Sequence, residues 1–111
     1  MKAIKRRKTK AVTEFGDFQT PPALALAATQ TLRRLGIRPR SILEPTCGRG
    51  AFVTAAAVCF PKADFIIGVD INQDHLSVAA EKAAQGSGPR VELRQGDFCK
   101  LEWRSVVTKA K

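Results

Sequence analysis

Residues Arg40-Ser-Ile-Leu-Glu-Pro-Thr-Cys-Gly-Arg-Gly50 decide the fold of this chain of 111 residues. The apolar pair Ile42-Leu43 predicts a short strand over 40–44, and Pro45 ends it. The loop over 46–50 then leads into a helix over 51–60. That helix is small and apolar nearly all round, which is typical of a helix packed against a sheet. The stretch therefore predicts a strand, a glycine-containing loop and a covering helix.

The same alternation continues on both sides of this unit. Residues 64–69 form an almost continuous apolar run, as in a parallel strand covered on both faces. A helix capped by Asn72 or Asp74 is predicted to reach residue 85, with its inner face formed by Leu76, Ala79, Ala80 and Ala83. Residues 90–94 alternate apolar and charged side chains, as in an edge strand. No element is predicted beyond Leu101.

Upstream of the first strand, Thr20 and Pro21 predict the start of a helix. Thr20 is a good cap, and proline suits the first helical turn because its missing N–H has no partner there. The apolar stripe of this helix is predicted to consist of Leu24, Ala28, Leu32 and Leu35.

Strands that alternate with helices predict a parallel sheet with right-handed crossovers. The fold class is therefore α/β: half of a Rossmann-like doubly wound sheet, with three strands in the order 3-2-1 and helices on both faces. The first strand would normally have a neighbour on its other side, so it is predicted to present a bare edge.

The net charge of +9 is concentrated near the start of the chain, where six of the 19 Lys and Arg residues occupy the first ten positions. We interpret residues 1–12 as a basic, disordered tail and residues 13–111 as one small domain. A basic tail favours nucleic acid as a partner, although a solvated arm without a partner explains it equally well. No apolar run is long enough to cross a membrane, and no secretory signal is recognisable.

The cysteines indicate neither a disulfide framework nor a metal site. Cys47, Cys59 and Cys99 form no C-x-x-C pair, and the single histidine, His75, is distant from them in sequence. A reducing, cytoplasmic setting fits best. We interpret His75 as an exposed residue in the first turn of its helix, and Cys47 as a packing residue.

An acidic residue stands at the carboxyl end of each of the three predicted strands: Glu44, Asp70 and Asp97. The carboxyl ends of parallel strands meet at one edge, where open α/β sheets bind their ligands. Three carboxylates there suit a ligand with hydroxyl and amino groups. Val53 stands where a dinucleotide fingerprint has its third glycine, and Glu44 would repel a pyrophosphate, so NAD is disfavoured and a cationic ligand without phosphate is favoured.

Each of these features also has a structural explanation. Gly48 and Gly50 could form only a tight turn, and Asp70 could act only on the dipole of the next helix. Likewise Asp97 and Phe98 could be a capping residue and a core residue, and Thr20 with Pro21 an ordinary helix start.

Four motifs in order resemble the class I S-adenosylmethionine-dependent methyltransferases, in the form of the DNA adenine-N6 methylases. Residues 44–52 resemble the first motif, Gly68-Val-Asp-Ile71 the second and Gln95-Gly-Asp-Phe98 the third. Phe18-Gln-Thr-Pro-Pro22 is similar to the additional upstream motif of the adenine-N6 group. The resemblance extends from about residue 15 to 103.

The resemblance implies S-adenosyl-L-methionine as the cofactor and a role for each matching residue. Gln19, Thr20 and Pro21 would hold the carboxylate and ammonium of the methionine part. Glu44 and the backbone around Cys47, Gly48 and Gly50 would line the same part. Asp70 would bind the ribose hydroxyls and Ile71 the adenine ring. Asp97 would accept a hydrogen bond from the adenine amine, and Phe98 would lie against the ring.

One motif of the family is missing. The catalytic Asn/Asp-Pro-Pro-aromatic sequence does not occur, since the only Pro-Pro pair follows Thr20. We therefore expect a C-terminally truncated methyltransferase domain that carries no catalytic residues and is inactive alone. DNA is the expected substrate, with no membrane or metal partner, and the sequence predicts no oligomeric state. A methyltransferase acting on RNA or protein, a non-catalytic basic module and a vestigial fragment remain alternatives.

Overall fold

The computed structural model describes residues 19–110, with side chains to residue 108. The predicted tail over 1–12 and the first residue of the motif over 18–22, Phe18, lie outside this range. The described elements are α1 (Pro22–Arg34), β1 (Ser41–Glu44), α2 (Ala51–Cys59), β2 (Phe65–Asp70), α3 (Gln73–Gln85), β3 (Arg90–Gln95) and α4 (Trp103–Ala110).

The three strands form one parallel sheet in which β2 lies between β1 and β3, as predicted. Ser41 pairs with Phe65, and Phe65 pairs in turn with Arg90, so all three strands begin at one level. Five of the six residues of β2 are buried, which explains why its sequence is apolar almost throughout.

The sheet is covered on both faces, as the predicted fold class requires. On one face Ile66 packs against Val53 and Cys59 of α2 and Leu76 of α3. On the other face Phe65, Ile67 and Val69 pack against Val106 of α4. Because side chains alternate along β2, this single strand supplies the centre of both cores.

The start and the buried face of α1 differ from the prediction. Pro21 is the residue before the helix, and Thr20 makes no capping hydrogen bond. Ala25 and Thr29 are buried, whereas Leu24, Leu32 and Leu35 of the predicted stripe are exposed. The small residues face α2, where they allow the two helices to approach closely. The leucines lie on the neighbouring side of the helix and point away from the core.

The segment after Leu101 is a helix, although the sequence was interpreted as having no further element there. Trp103, Val106 and Val107 recur at helical spacing, and Val106 is buried against β2. An isolated helix of this length is marginal, so packing against the sheet supplies its stability.

Candidate functional site

The carboxyl ends of the strands and the loops that follow them form a continuous rim. Cys47 N donates to Val69 O at 2.7 Å, which holds the loop after β1 against the end of β2. Gly96 N donates to Asp70 O at 3.0 Å, which does the same for the loop after β3. We call loops 45–50, 71–72 and 96–102 the carboxyl rim. It brings together the ends of the strands that carry Glu44, Asp70 and Asp97.

A cavity of about 780 Å³ opens at the carboxyl rim. Of the predicted site residues, Asp70, Ile71, Asp97 and Phe98 line it. The rest of its wall is formed by Pro45, Thr46, Asn72, His75, Gly96 and Cys99. Ligand pockets usually measure ~300–1,000 Å³. The cavity is therefore large enough for a nucleoside-sized ligand, and its wall combines carboxylates with exposed apolar side chains.

Asp70 joins two of the loops of the rim. Its Oδ2 accepts a hydrogen bond from Gly48 N, and its Oδ1 accepts one from Asn72 N, each at 2.8 Å. Carboxylate oxygens have two lone pairs each, so both can accept a second hydrogen bond from a ligand. Asp70 thus organises the loop after β1 while it faces the cavity.

Gln19 lies against the same loop. Its Oε1 accepts a hydrogen bond from Arg49 N at 3.0 Å. The neighbouring Gly48 has a positive φ of 54°, and a Cβ there would collide with the amide of Gln19. Glycine is therefore needed at position 48 both for its backbone conformation and for this close approach. Gln19, Gly48 and Asp70 form one connected group, whereas Thr20 and Pro21 lead from it into α1.

Gly50 serves the packing of two helices. It precedes α2 with a φ of 92°, and a Cβ on it would lie 3.0 Å from the Cβ of Ala79 in α3. The two glycines of the loop therefore have different roles: Gly48 allows contact with Gln19, and Gly50 allows α2 to approach α3.

Glu44, at the end of β1, is partly buried, and Cys47, in the loop that follows, is buried. Burial raises the pKa of Glu44 above its usual range, opposed by the hydrogen bond from Thr46 N. Burial together with the charges of Asp70 and Glu44 raises the pKa of Cys47 to about 12. Cys47 is therefore a neutral thiol at physiological pH and not a nucleophile, as its interpretation as a packing residue requires.

Phe98 is half-exposed at the cavity, with a relative accessibility of 50%, so it is not a core residue. Its ring centroid lies 5.4 Å from that of Trp103, and Trp103 Nε1 donates to Phe98 O at 3.0 Å. Asp97 holds the same turn, since its Oδ1 accepts from Cys99 N at 2.9 Å. Trp103 thus fixes the position of an exposed aromatic ring, which can stack on a flat ligand.

His75 was expected to be exposed, and that expectation is wrong: only 6% of the residue is accessible. Its Nδ1 lies 4.0 Å from Asp70 Oδ1 and 3.5 Å from Gln19 Nε2. The signal for its burial is present in the sequence, because His75 shares the helical face of Leu76 and Ala79. Asn72, one of the two predicted caps, accepts from the backbone N–H groups of Asp74 and His75 and so orients this turn.

Within residues 19–108, no three His, Cys, Asp or Glu side chains are placed to hold a metal ion. No helix among the described elements has the length and apolar character that crossing a membrane requires.

Most of the chain is similar to known methyltransferases. A family model described as a methyltransferase domain matches residues 40–109. The chain is 40% identical over 98 residues to the Type II methyltransferase M.NspV of Nostoc sp. (strain ATCC 29411 / PCC 7524). That match covers 88% of this chain but only 20% of the relative, so the chain spans about a fifth of the length of the relative.

Solved structures share the fold. TrmN from Thermus thermophilus is 27% identical with a TM-score of 0.54, over 68% of this chain and 22% of TrmN. An S-adenosylmethionine-dependent methyltransferase from Clostridium acetobutylicum ATCC 824 is 19% identical with a TM-score of 0.55, over 89% of this chain and 39% of that protein.

Proposed function

Because this chain belongs to the methyltransferase domain family, whose methyl donor is S-adenosylmethionine, we propose that it forms the cofactor-binding part of an enzyme that methylates the N6 amino group of adenine in DNA. The similarity to a Type II methyltransferase supports a nucleic-acid substrate. The four motifs quoted above support the adenine-N6 group. Cys47, Cys59 and Cys99 are free thiols, which agrees with a reducing, cytoplasmic location.

The observation that carries this proposal is the convergence of Asp70, Ile71, Asp97 and Phe98 on one cavity. Asp70 and Asp97 supply acceptors for hydroxyl and amine hydrogens, which are the donors of an adenosine. Ile71 and Phe98 are exposed apolar side chains at the same cavity, suited to the faces of a purine. The acceptors, the apolar side chains and the volume of the cavity therefore fit the cofactor.

In this proposal each side of the site binds one part of the cofactor. Asp70 accepts from the ribose hydroxyls with the lone pairs that Gly48 and Asn72 leave available, while Asp97 accepts from the adenine amine. Glu44, Cys47, Gly48 and Gly50, together with Gln19, Thr20 and Pro21, would line the methionine part. A carboxylate at Glu44 would favour the ammonium of that part.

S-adenosylmethionine, when bound, supplies an electrophilic methyl group on a sulfonium. The residues of this chain bind and orient that group: they hold the adenosine at the carboxyl rim and keep the methionine part near β1. The only Pro-Pro pair of the sequence is Pro21-Pro22 at the start of α1, which is not the family's catalytic motif. The groups that bind the target adenine and accept its proton are therefore expected to come from residues outside this chain. This chain alone is expected to be inactive.

Titration of the single tryptophan tests cofactor binding directly. Trp103 contacts Phe98, so its fluorescence should change saturably as S-adenosylmethionine is added. Asp97→Asn and Phe98→Ala should each weaken binding by roughly tenfold, the effect of losing one charged hydrogen bond or one stacked ring. Glu81→Gln removes an exposed carboxylate of α3 and should leave the affinity unchanged. No saturable change in the unmodified chain, with the fold intact by circular dichroism, would contradict the proposal.

A chimera tests the reaction and its target atom. The matching segment of M.NspV is replaced by this chain, and labelled methyl transfer to duplex DNA is followed by nucleoside analysis. N6-methyladenine is the expected product. Methylated cytosine would overturn the adenine assignment, and cofactor binding without any DNA methylation would favour an RNA or protein substrate.

A further inference from the structure

The charges of the described residues are divided between the two ends of the sheet. The last two residues of α1, the loops that lead into the three strands and the first residue of each strand contain one acid, Asp64, against six cations. These six cations form what we call the basic edge: Arg33, Arg34, Arg38, Arg40, Lys62 and Arg90. The carboxyl rim, the last residue of each strand and the first two residues of α2, α3 and α4 contain three cations, Arg49, Lys100 and Arg104, against five acids: Glu44, Asp70, Asp74, Asp97 and Glu102. The sheet therefore has one basic and one acidic end.

Part of the basic edge stabilises the fold. Arg33 donates to Cys59 O at the end of α2, and Arg38 donates to Arg33 O at 2.8 Å. Cations at these positions compensate the negative ends of two helix dipoles. A guanidinium has five N–H donors, so these bonds leave most of the donors of each arginine available.

The remaining donors face solvent. Arg40 pairs with Asp64 at 3.4 Å, yet 89% of its side chain is accessible. Arg38 and Lys62 are exposed as well. Such an exposed pair contributes little stability, so Arg40 can exchange its partner at small cost.

Four of the cations surround one concavity. A cavity of about 310 Å³ lies between the ends of α1 and α2, and Arg33, Arg38, Arg40 and Lys62 line it around Phe60. Asp64 lies outside its lining. The cavity is thus a cationic depression at the end of the sheet opposite the carboxyl rim.

We propose that the basic edge binds the phosphate backbone of duplex DNA, as a contact separate from the one that presents the target base. The starts of β1 and β3 are about 10 Å apart, since neighbouring strands are spaced by ~4.8 Å. One DNA strand carries a phosphate about every 3.4 Å along the axis, so this edge faces about three phosphates. Five of the six cations are arginines, whose planar fork matches phosphate oxygens.

The distance from the carboxyl rim defines the role of the contact. The six residues of β2 separate the two ends by about 20 Å. The basic edge would therefore hold DNA without reaching the target base, and phosphate contacts add affinity without sequence preference. The choice of DNA as the nucleic acid rests on the proposed function, whereas the anionic ligand follows from the charges alone.

Fluorescence anisotropy with a short labelled duplex tests the inference in the full chain. The triple variant R38Q/R40Q/K62Q should bind the duplex about tenfold more weakly or worse. The negative slope of log K against log salt should become shallower by about 3, because the counterions of three phosphate contacts are no longer released. The control variant R94Q/R104Q removes two cations outside the basic edge and the carboxyl rim, and it should change affinity less than about threefold. The tail is present in every variant, so its contribution cancels. An equal loss per removed charge in both variants would overturn the inference.

Acetylation of lysines provides a readout that needs no substitution. DNA should protect Lys62 from acetylation while Lys100, at the carboxyl rim, stays reactive. If DNA left Lys62 unprotected, the nucleic-acid surface would be rejected. Equal protection by polyglutamate would reject it as well and would favour an acidic protein partner. S-adenosylmethionine should bind R38Q/R40Q/K62Q as tightly as the unmodified chain. If the unmodified chain did not bind S-adenosylmethionine but DNA still protected Lys62, the result would contradict the proposed function and not this inference.

Discussion

Oδ2 of Asp70 accepts a hydrogen bond of 2.8 Å from the backbone N–H of Gly48, which lies 22 residues earlier in the chain. The bond joins the end of β2 to the loop that follows β1. Asp70 is therefore both a proposed ligand for ribose and a structural link between the two loops that would surround it.

We expect Asp70→Asn to lower both stability and cofactor affinity. The asparagine retains one oxygen acceptor but faces either Gly48 N or Asn72 N with an amide, so one backbone donor loses its partner. The expected loss is about 1–3 kcal/mol in the free energy of unfolding, measured by urea denaturation. Affinity for S-adenosylmethionine, measured by calorimetry, should fall by a similar amount. Glu81→Gln is the control and should stay within about 0.5 kcal/mol. Unchanged affinity in a folded Asp70→Asn would refute the ribose assignment.

Gly50→Ala should destabilise the packing of α2 against α3. The residue has a φ of 92°, and a Cβ there would lie 3.0 Å from that of Ala79, so strain and crowding act together. We expect a loss of about 1–3 kcal/mol in thermal or urea unfolding.

Gly86→Ala is the matched control for this substitution. Gly86 has a φ of −94°, and the nearest atom to a Cβ there is Ala83 O at 3.8 Å. It should therefore be neutral or slightly stabilising. Equal stability of the two variants would mean that α2 and α3 do not approach as closely as described.

The sequence determined the sheet and the carboxyl rim because both depend on short-range patterns. The apolar run of β2 and the acidic residue after each strand are visible without three-dimensional information. Strand order alone predicts that Asp70, Asp97 and Phe98 share one edge, whereas Ile71 is assigned by the family resemblance; all four line the same cavity. Their roles toward the cofactor remain predictions that the experiments above address.

Errors arose where two helical faces competed. In α1 the leucine stripe and the small residues Ala25 and Thr29 lie side by side, and only the position of α2 decides which is buried. The polarity of His75 favours exposure, but its spacing from Leu76 and Ala79 places it on the buried face of α3. The helix α4 has clear periodicity but depends for its stability on packing against the sheet face of Phe65, Ile67 and Val69, which local patterns do not reveal.

Glu44→Gln should stabilise the chain at neutral pH while it weakens the cofactor site. Burial raises the pKa of Glu44, so the native state binds a proton here more readily than the unfolded chain. The charged form is therefore penalised above the native pKa, and the penalty vanishes as pH falls below the unfolded value of ~4.3. Glutamine removes the charge and can still accept from Thr46 N.

Urea denaturation at several pH values measures this effect. The gain in unfolding free energy for Glu44→Gln should be present near neutral pH and absent at acidic pH. S-adenosylmethionine should bind the variant more weakly, because the carboxylate proposed to face its ammonium is gone. A loss of stability at neutral pH that disappears on acidification would instead place Glu44 in a stabilising ion pair.

Leu43→Lys should reduce self-association of this chain. Among the described residues β1 is an outer strand of the sheet, and Leu43 on it is 39% exposed. A parallel strand with an unpaired, apolar edge offers a template for another chain, whereas a charged side chain on such an edge opposes pairing. We expect the unmodified chain to elute above monomer mass in size-exclusion chromatography with light scattering, and Leu43→Lys to shift it toward the monomer. Val58→Lys places the same charge on an exposed residue of α2, away from the edge, and should leave association unchanged. A monodisperse, cooperatively melting monomer for the unmodified chain would show that the edge of β1 is protected in solution.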